Sequence, residues 1–374
     1  MTQSETKSLP SNAVGGQTPA APVVGILPAG PHNRITDVPG VKVGHATRAQ
    51  AGVQTGVTVV YPHAGDLFCN KVPAGAAVIN GFGKSLGLLQ LQELGTIETP
   101  IALTNTFAVP IVAQAQIRQA FAANPKIGRE WSTVNPLVLE CNDGYLNDIQ
   151  AMVVTEADYV DACAQAAVTF EQGSVGAGRG MSCFGLKGGI GSASRVAQQE
   201  GALAGTAPDY IVGALVLSNF GKLRNLRVNG ELLGQAIKHR MARVDAVPTH
   251  ADETVNEPDK GSIIILLATD APLDARQLRR LSTRAAAGLG RTGSSFGHGS
   301  GDIAIAFSTG MRIGQELGHE QTRVWPLHEQ QLDPLFDAAA EATEQAIINA
   351  LWAATAVTGR DGHTRLPVTA WLQD

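Results

Sequence analysis

Apolar and polar positions along the chain follow two periods, which predict strands and helices in alternation. Runs of β-branched and apolar residues predict strands, and stripes of apolar residues three or four positions apart predict helices. The predicted strands are 53–62, 76–83, 135–144, 151–155, 210–219, 262–269 and 302–309. The predicted helices are 85–95, 110–124, 156–173, 274–290 and about 333–356. Strands that are apolar on both faces indicate sheets covered by helices on their outer sides.

The strongest strand pattern is SIIILLAT (262–269), which is apolar at almost every position and therefore predicts a central strand of a covered sheet. The stretch before it, 245–261, is polar, charged and interrupted by prolines, which is typical of a linker or surface loop. The abrupt change from a polar loop to a buried strand falls at the bond between Gly261 and Ser262.

Composition indicates a globular protein and excludes several classes of partner. The chain has 374 residues, 44% of them hydrophobic, and a formal net charge of -5. This charge does not indicate a nucleic-acid partner. No apolar run approaches the roughly 20 residues needed to cross a bilayer, and the start lacks a secretory pattern, so we expect no membrane partner and a cytoplasmic location. We expect residues 1–30 to form a disordered tail and residues 31–374 a single domain.

Several short motifs do not carry the chemistry that they suggest. GSSFG (293–297) fits a nucleophile elbow, but a predicted helix precedes it and a strand follows, which is the reverse of the required order. GKS (83–85) lacks the glycine of a phosphate-binding loop, and GAGRG (176–180) lacks the third glycine of a dinucleotide fingerprint. His298 is interpreted as an ordinary loop histidine. The cysteine and histidine spacings do not match a metal site, so we expect no metal and no cofactor.

The junction at Ser262 offers a different chemistry. If the backbone is cut before this residue, the new α-amino group belongs to the nucleophile itself. An α-amino group has a pKa of about 7.7–8.0, so near neutral pH it can take the proton of the serine hydroxyl. Gly-Ser before a strand is common, however, and the pattern alone favours an ordinary strand start.

A set of segments in fixed order resembles the β-aminopeptidase family, the DmpA-type peptidases that share a fold with ornithine acetyltransferase. The segments are ITDVPGVKVGH (35–45), NGFGKSLG (80–87), ETPIALTNT (98–106), CNDGYLND (141–148), GMSCFGLKGGIGSASR (180–195), LSNFG (217–221), GSIIILLATDAPL (261–273) and GHGSGDIAIAFST (297–309). The resemblance implies an αββα sandwich that cleaves itself into an α-chain ending at Gly261 and a β-chain beginning at Ser262.

The resemblance also assigns roles to individual residues. Ser262 aligns with the N-terminal nucleophile, and Ser300 and Asp302 align with the pair that holds and polarises its amine and hydroxyl. Asn219 aligns with the oxyanion-hole asparagine, and Tyr145 with a tyrosine near the substrate amine, although an ordinary half-buried tyrosine is equally compatible. The residues that bind the substrate amine are not placed. Some relatives have Glu at the position of Asp302, and others have Asn or Thr at the cleaved bond.

The function implied is the release of N-terminal residues from short peptides, amides or esters by a serine hydrolase, with a small peptide or amino-acid amide as substrate and a homotetramer as the expected assembly. Preference for β-, D- or L-residues stays open. The alternatives are an acyltransferase of the ornithine-acetyltransferase type, a nylon-oligomer hydrolase, and a homologue that binds a metabolite without catalysis.

Overall fold

Two stacked β-sheets form the centre of the protein. The structure is a computed structural model that describes residues 19–198, 209–244, 261–315 and 325–372. The smaller sheet has four strands in the order β1-β2-β5-β6, of which only β5 and β6 run parallel to each other. Its strands are β1 (Lys42–Gln50), β2 (Val53–Tyr61), β5 (Ile101–Asn105) and β6 (Leu137–Cys141).

The larger sheet has seven strands in the order β13-β3-β12-β11-β10-β9, with β4 also paired to β3. Its strands are β3 (Asn70–Gly81), β4 (Thr96–Ile97), β9 (Gly189–Ala197), β10 (Tyr210–Asn219), β11 (Ser262–Thr269), β12 (Gly301–Ser308) and β13 (Ile313–Gly314). The central strands β11 and β12 run parallel, and their neighbours β10 and β3 run antiparallel to them. Two short hairpins, β7 (Ser182–Cys183) with β8 (Leu186–Lys187) and β14 (Val357–Thr358) with β15 (Thr364–Arg365), complete the described strands.

Helices cover the outer face of each sheet, so the fold is the expected αββα sandwich. Helices α2 and α3 pack on the smaller sheet, and α5 and α6 pack on the larger one. The helices are α1 (Leu88–Leu94), α2 (Val109–Ala123), α3 (Glu156–Ala164), α4 (Leu233–Val244), α5 (Ala275–Arg291) and α6 (Asp333–Trp352). None of the described helices is long and apolar enough to span a membrane.

Strand β11 shows why its residues are apolar on both faces. Ile263, Ile265 and Leu267 belong to the core beneath α5 and α6, whereas Ile264, Leu266 and Ala268 belong to the core between the two sheets. Every residue of β11 is buried, as the sequence predicted for a central strand. Helix α5 starts at an Asp274 cap and buries the predicted stripe of Leu278, Leu281, Ala285 and Leu289.

The structure differs from the sequence prediction in several elements. The strand predicted at 151–155 is wrong, because a 3-10 turn at Ile149–Ala151 and an irregular segment occupy this stretch. The helix predicted at 156–173 begins at a Thr155–Asp158 capping box but already ends at Ala164. Strands β1, β5 and β9 and helix α4 were not predicted.

Strand β9 was missed because its glycines suggest turns. Here glycine serves close packing, since a Cβ on Gly191 would lie 2.0 Å from the Ala346 carbonyl oxygen of α6.

The stretch predicted to be a disordered tail enters the domain earlier than residue 30. Residues 1–18 lie outside the described part of the chain, but Val24 is buried and its N–H donates to Gln345 Oε1 of α6. The Val24 carbonyl accepts a hydrogen bond from Arg195. Part of this stretch, around Val24, therefore packs against the core. The predicted linker 245–261 lies outside the described residues except for Gly261.

Candidate active site

The candidate site lies where three strands of the larger sheet begin or end side by side. Ser262 is the first residue of β11, and its register partners are Asn219, the last residue of β10, and Gly301, the first residue of β12. Because β10 is antiparallel and β12 parallel to β11, the last residue of β10 and the first residue of β12 lie on either side of the start of β11. This topology brings Ser262, Asn219, Ser300 and Asp302 together from three separate parts of the sequence.

The Ser262 side chain is almost buried and is held by a backbone group. Only 6% of the residue is exposed, and its Oγ accepts a hydrogen bond of 3.1 Å from the Gly301 N–H. A hydroxyl that accepts a hydrogen bond still has its own proton to donate. The hydroxyl therefore has a fixed position and a proton available for transfer to a base.

Ser300 and Asp302 flank the glycine that holds Ser262. Both are buried, and Ser300 Oγ donates to Asp302 Oδ1 over 2.6 Å. This contact agrees with the prediction that residues two apart at a strand start share a face. Asp302 lies next to a β-bulge, since β3 advances from Asn80 to Val78 while β12 advances by one residue. Such bulges commonly redirect side chains beside active sites.

The Asn219 amide has a fixed orientation. Its Oδ1 accepts from the Ser182 N–H over 2.8 Å, and its Nδ2 donates to the Asn142 carbonyl oxygen over 3.0 Å. An amide nitrogen carries two hydrogens, so a second N–H remains after the bond to Asn142. That N–H belongs to a side chain only 7% exposed, directly across the strand pair from Ser262.

Gly261 passes so close to β10 that a side chain does not fit. A Cβ at this position would lie 2.5 Å from both the Asn219 carbonyl oxygen and Phe220 Cα. Backbone atoms at that distance cannot move aside as a flexible side chain can. Glycine is therefore required where the chain enters β11, which gives the Gly-Ser sequence a steric reason.

Sequence reasoning missed Glu140, a buried carboxylate beside the site. Only 4% of Glu140 is exposed, and it accepts hydrogen bonds from the Lys84 N–H (2.7 Å) and the Thr106 hydroxyl. A Cβ on Gly83 would lie 3.6 Å from Glu140 Oε1 and 3.9 Å from Gly301 Cα, so the carboxylate lies near Ser262. The signal in the sequence is a single charged residue in the otherwise apolar strand LVLEC.

Tyr145 lies at the rim of this region and is 39% exposed. It follows Asn142, whose carbonyl contacts Asn219, by three residues. Its ring stacks on the His363 imidazole, with ring centroids 4.5 Å apart and an interplanar angle of 11°. The Arg365 guanidinium lies 3.8 Å from the centroid of the same ring. The segment that carries His363 and Arg365 therefore fixes the position of the Tyr145 ring, and the role of Tyr145 in substrate binding stays a prediction.

Buried ionisable groups lie behind the site. Burial raises the pKa of Asp143 to about 7, although hydrogen bonds from Thr55 and Asn147 oppose the shift. Burial also lowers the pKa of Lys187, whose ammonium donates to the carbonyls of Gly178, Met181 and Gly188. His298 is exposed on its loop and packs near Phe82. In the described ranges, no group of three or more His, Cys, Asp or Glu is placed to hold a metal ion.

Comparison with known proteins identifies the family of this chain. The model of peptidase family S58 matches residues 33–365. The chain belongs to this peptidase family. It is therefore a hydrolase with aminopeptidase activity.

Curated relatives and solved structures agree with the family assignment. The chain is 39% identical to β-peptidyl aminopeptidase BapA of Sphingosinicella microcystinivorans, covering 96% of this chain and 92% of the relative. Its fold is similar to that of a Burkholderia sp. β-aminopeptidase (TM-score 0.81, 39% identity), covering 93% of this chain and 94% of the other.

The L-aminopeptidase D-Ala-esterase/amidase of Ochrobactrum anthropi is a further match (TM-score 0.79, 33% identity, 93% of each chain). Its structure is described as a variant among the Ntn hydrolase folds. The PH0078 protein of Pyrococcus horikoshii OT3 is also similar (TM-score 0.82, 45% identity), covering 92% of this chain and 93% of that one.

Proposed function

We propose that the protein is a self-processing serine aminopeptidase that releases N-terminal residues from short peptides, amides or esters. The observation that carries the proposal is the position of Ser262: its hydroxyl is held by Gly301 N–H at the start of a buried strand, beside the Asn219 amide and the Ser300–Asp302 pair. Relatives named β-aminopeptidases support a β-amino acid as one acceptable N-terminal residue.

Cleavage between Gly261 and Ser262 would convert the Ser262 nitrogen into a free α-amino group. That amine would accept the hydroxyl proton while Oγ attacks the substrate carbonyl, and the second N–H of Asn219 would donate to the developing oxyanion. The protonated amine would return the proton to the departing amine of the substrate. Water would then attack the acyl-serine ester. The α-amino group would accept a proton from this water and donate it to Ser262 Oγ as the ester bond breaks. Ser300 and Asp302 would orient the α-amino group, since a carboxylate stabilises a nearby ammonium.

The sequence did not identify the residues that bind the substrate amine, and Glu140 is our candidate for this role. We assign it to the substrate ammonium, because it is a buried carboxylate near Gly301 and its other hydrogen-bond partners, the Lys84 N–H and the Thr106 hydroxyl, carry no charge. A charged hydrogen bond to an ammonium group is stronger than one between neutral groups. This contact would explain selection of substrates with a free amino terminus.

The experiment that tests the proposal is processing followed by assay. The purified protein should separate on a denaturing gel into two chains, the smaller of which begins SIIILL by N-terminal sequencing. Ser262→Ala should stay a single chain and lose turnover of aminoacyl p-nitroanilides. The proposal is wrong if the wild-type chain stays whole after long incubation yet cleaves these substrates, or if Ser262→Ala is processed and active.

The expected homotetramer and cytoplasmic location stay predictions. Phe107 and Met152 are both exposed and line the same surface depression, which supports an interface, because neighbouring exposed apolar groups often mark a contact with another chain. Mass measurement in solution by light scattering tests the tetramer.

A further inference from the structure

Arg365 is a partly buried cation that has no carboxylate partner among the residues that the structure describes. Its Nε is buried without a hydrogen-bond partner. Within the described ranges, no carboxylate forms an ion pair with this side chain, and its guanidinium lies over the face of the Tyr145 ring. Burial lowers its pKa, although a guanidinium stays charged at any physiological pH. An unpaired buried charge is costly unless a ligand of opposite charge completes it.

Two independent contact paths place Arg365 beside the site. In the first, the guanidinium lies on Tyr145, and the loop that carries Tyr145 contacts Asn219 through the Asn142 carbonyl. In the second, the carbonyl of the next residue, Leu366, accepts from the Lys187 N–H in the β7–β8 hairpin, whose Ser182 N–H donates to Asn219. Both paths end on the β10 side of Ser262.

Glu140 lies on the other side of the nucleophile. Its carboxylate is near Gly83 and Gly301, at the β3 and β12 side of Ser262. The segment from Glu140 to Tyr145 therefore passes the start of β11, where Ser262 lies. Its Glu140 end carries a negative charge, and at its Tyr145 end lies the positive charge of Arg365. This charge separation matches a short zwitterionic peptide, which has an ammonium at one end and a carboxylate at the other.

The stacking of Arg365 on Tyr145 also determines which N–H groups of the guanidinium can bind a ligand. His363 and Arg365 are two residues apart, so their side chains leave the hairpin on the same side with space for one aromatic ring between them. His363 Nδ1 lies 2.8 Å from the Tyr145 carbonyl oxygen, which anchors this arrangement. Stacking on an aromatic ring leaves the in-plane N–H groups of a guanidinium free to form the paired hydrogen bonds that a carboxylate accepts.

We propose that Arg365 is a receptor for the C-terminal carboxylate of short peptide substrates, on the leaving-group side of Ser262. The proposal rests on the aminopeptidase function above and narrows its substrate class. Peptides with a free carboxylate would bind through Arg365 as well as through Glu140. Tyr145 would then lie at the carboxylate end of the substrate and not near its amine, unlike the role that the resemblance implied. Aminoacyl amides and anilides, which lack the carboxylate, would bind without Arg365.

The test compares three substrates with the same N-terminal residue: a dipeptide, its C-terminal amide, and the aminoacyl p-nitroanilide. Arg365→Met should lower kcat/KM for the dipeptide by about 10–100-fold, mainly through KM, because a hydrogen-bonded charge is lost. The amide and the anilide should change by less than about twofold if the fold is intact. Arg365→Lys should retain part of the dipeptide activity, since an ammonium keeps the charge but not the paired geometry.

Arg118→Met is the matched control, because Arg118 lies on the outer face of α2, half exposed in an ion pair with Glu156. It should leave all three substrates unchanged. If Arg365→Met does not fold, the wild-type enzyme still decides: its KM for the dipeptide should be lower than for the dipeptide amide.

Equal wild-type KM values, or an equal loss for all three substrates in Arg365→Met, would overturn the carboxylate receptor. Wild-type turnover of the anilide establishes the aminopeptidase independently, so the two proposals fail separately.

Discussion

The two sheets contribute to the site in different ways. The larger sheet supplies Ser262, Asn219, Ser300 and Asp302 from paired strand ends, where backbone hydrogen bonds and a buried core on both faces fix each position. The smaller sheet contributes the end of β6 and the loop after it, which carry Glu140 and Tyr145. Groups on paired strands are held more precisely than groups on loops. In the proposed function, the bond-making residues would therefore lie on the larger sheet, whereas Glu140, proposed to bind the substrate ammonium, lies on the smaller one.

This division predicts separate kinetic effects. A residue of the larger sheet that acts on the transition state should alter kcat for every substrate. A residue contributed by the smaller sheet should alter KM for substrates that carry the matching charge. Substrates that share a scissile bond but differ in charge can distinguish the effect on kcat from the effect on KM.

Asn219→Ala should produce the largest effect that leaves the nucleophile in place. We expect kcat to fall by about 10²–10³ for anilide, amide and peptide alike, because one donor to the oxyanion is lost. KM should change little. Steady-state kinetics on the processed enzyme measure both. Asn70→Ala, an exposed position at the start of β3, serves as control.

A loss confined to KM, or to one substrate, would contradict the oxyanion role of Asn219. Because Asn219 also anchors the Ser182 N–H, the thermal midpoint of the variant must be measured beside its activity. A variant that is destabilised but keeps kcat would reduce Asn219 to a structural residue.

Glu140→Gln should produce a smaller and more selective effect. Glutamine has nearly the same shape and can still accept from the Lys84 N–H, but it lacks the charge. We expect kcat/KM for substrates with a free amine to fall by about 10–100-fold, since a charge-assisted contact is lost. An analogue without the amine should be hydrolysed equally by both enzymes.

Glu98→Gln is the control for Glu140, because Glu98 is also a buried carboxylate but accepts from the Asn135 N–H and lies near Lys71 instead. An equal loss for the substrate and its amine-free analogue in Glu140→Gln would show that this carboxylate only supports the Lys84 and Thr106 segments.

The same division explains what the sequence could predict. Strand β11 and its polar entry loop are local patterns, so Ser262 at a strand start was predictable, and the spacing of Ser300 and Asp302 placed them on one face. Glu140 was not predictable in this way. Its partners, the Lys84 N–H and the Thr106 hydroxyl, are distant in sequence, and a lone glutamate in a strand carries no spacing signal.

The role proposed for Arg365 was even harder to predict, because it depends on a contact with the Tyr145 ring, 220 positions earlier in the chain. Strand β9 was hidden for another reason: its glycines are required by contact with α6, and this contact exists only after the chain has folded. Local periodicity therefore predicted the strands that carry Ser262, Asn219 and Asp302, but not the long-range contacts of Glu140 and Arg365.

Asp143→Asn should produce the smallest effect, in stability rather than in turnover. Asp143 lies in the loop after β6, and burial raises its pKa to about 7 from an ordinary value near 3.8. At a pH between these two values, Asp143 is therefore protonated in the folded state and ionised in the unfolded state. The stability due to this group is complete below the unfolded pKa and is lost as pH rises through about 7.

Asparagine does not titrate, so the variant should lack this loss. Urea unfolding at pH 5 and pH 8 should show the wild type losing about 2–3 kcal/mol more than Asp143→Asn over this interval. Asp148→Asn, at an exposed position of the same loop, should follow the wild type. Parallel pH profiles for wild type and Asp143→Asn would mean that Asp143 ionises normally, and that the loop carrying Tyr145 is more open to water than its packing indicates.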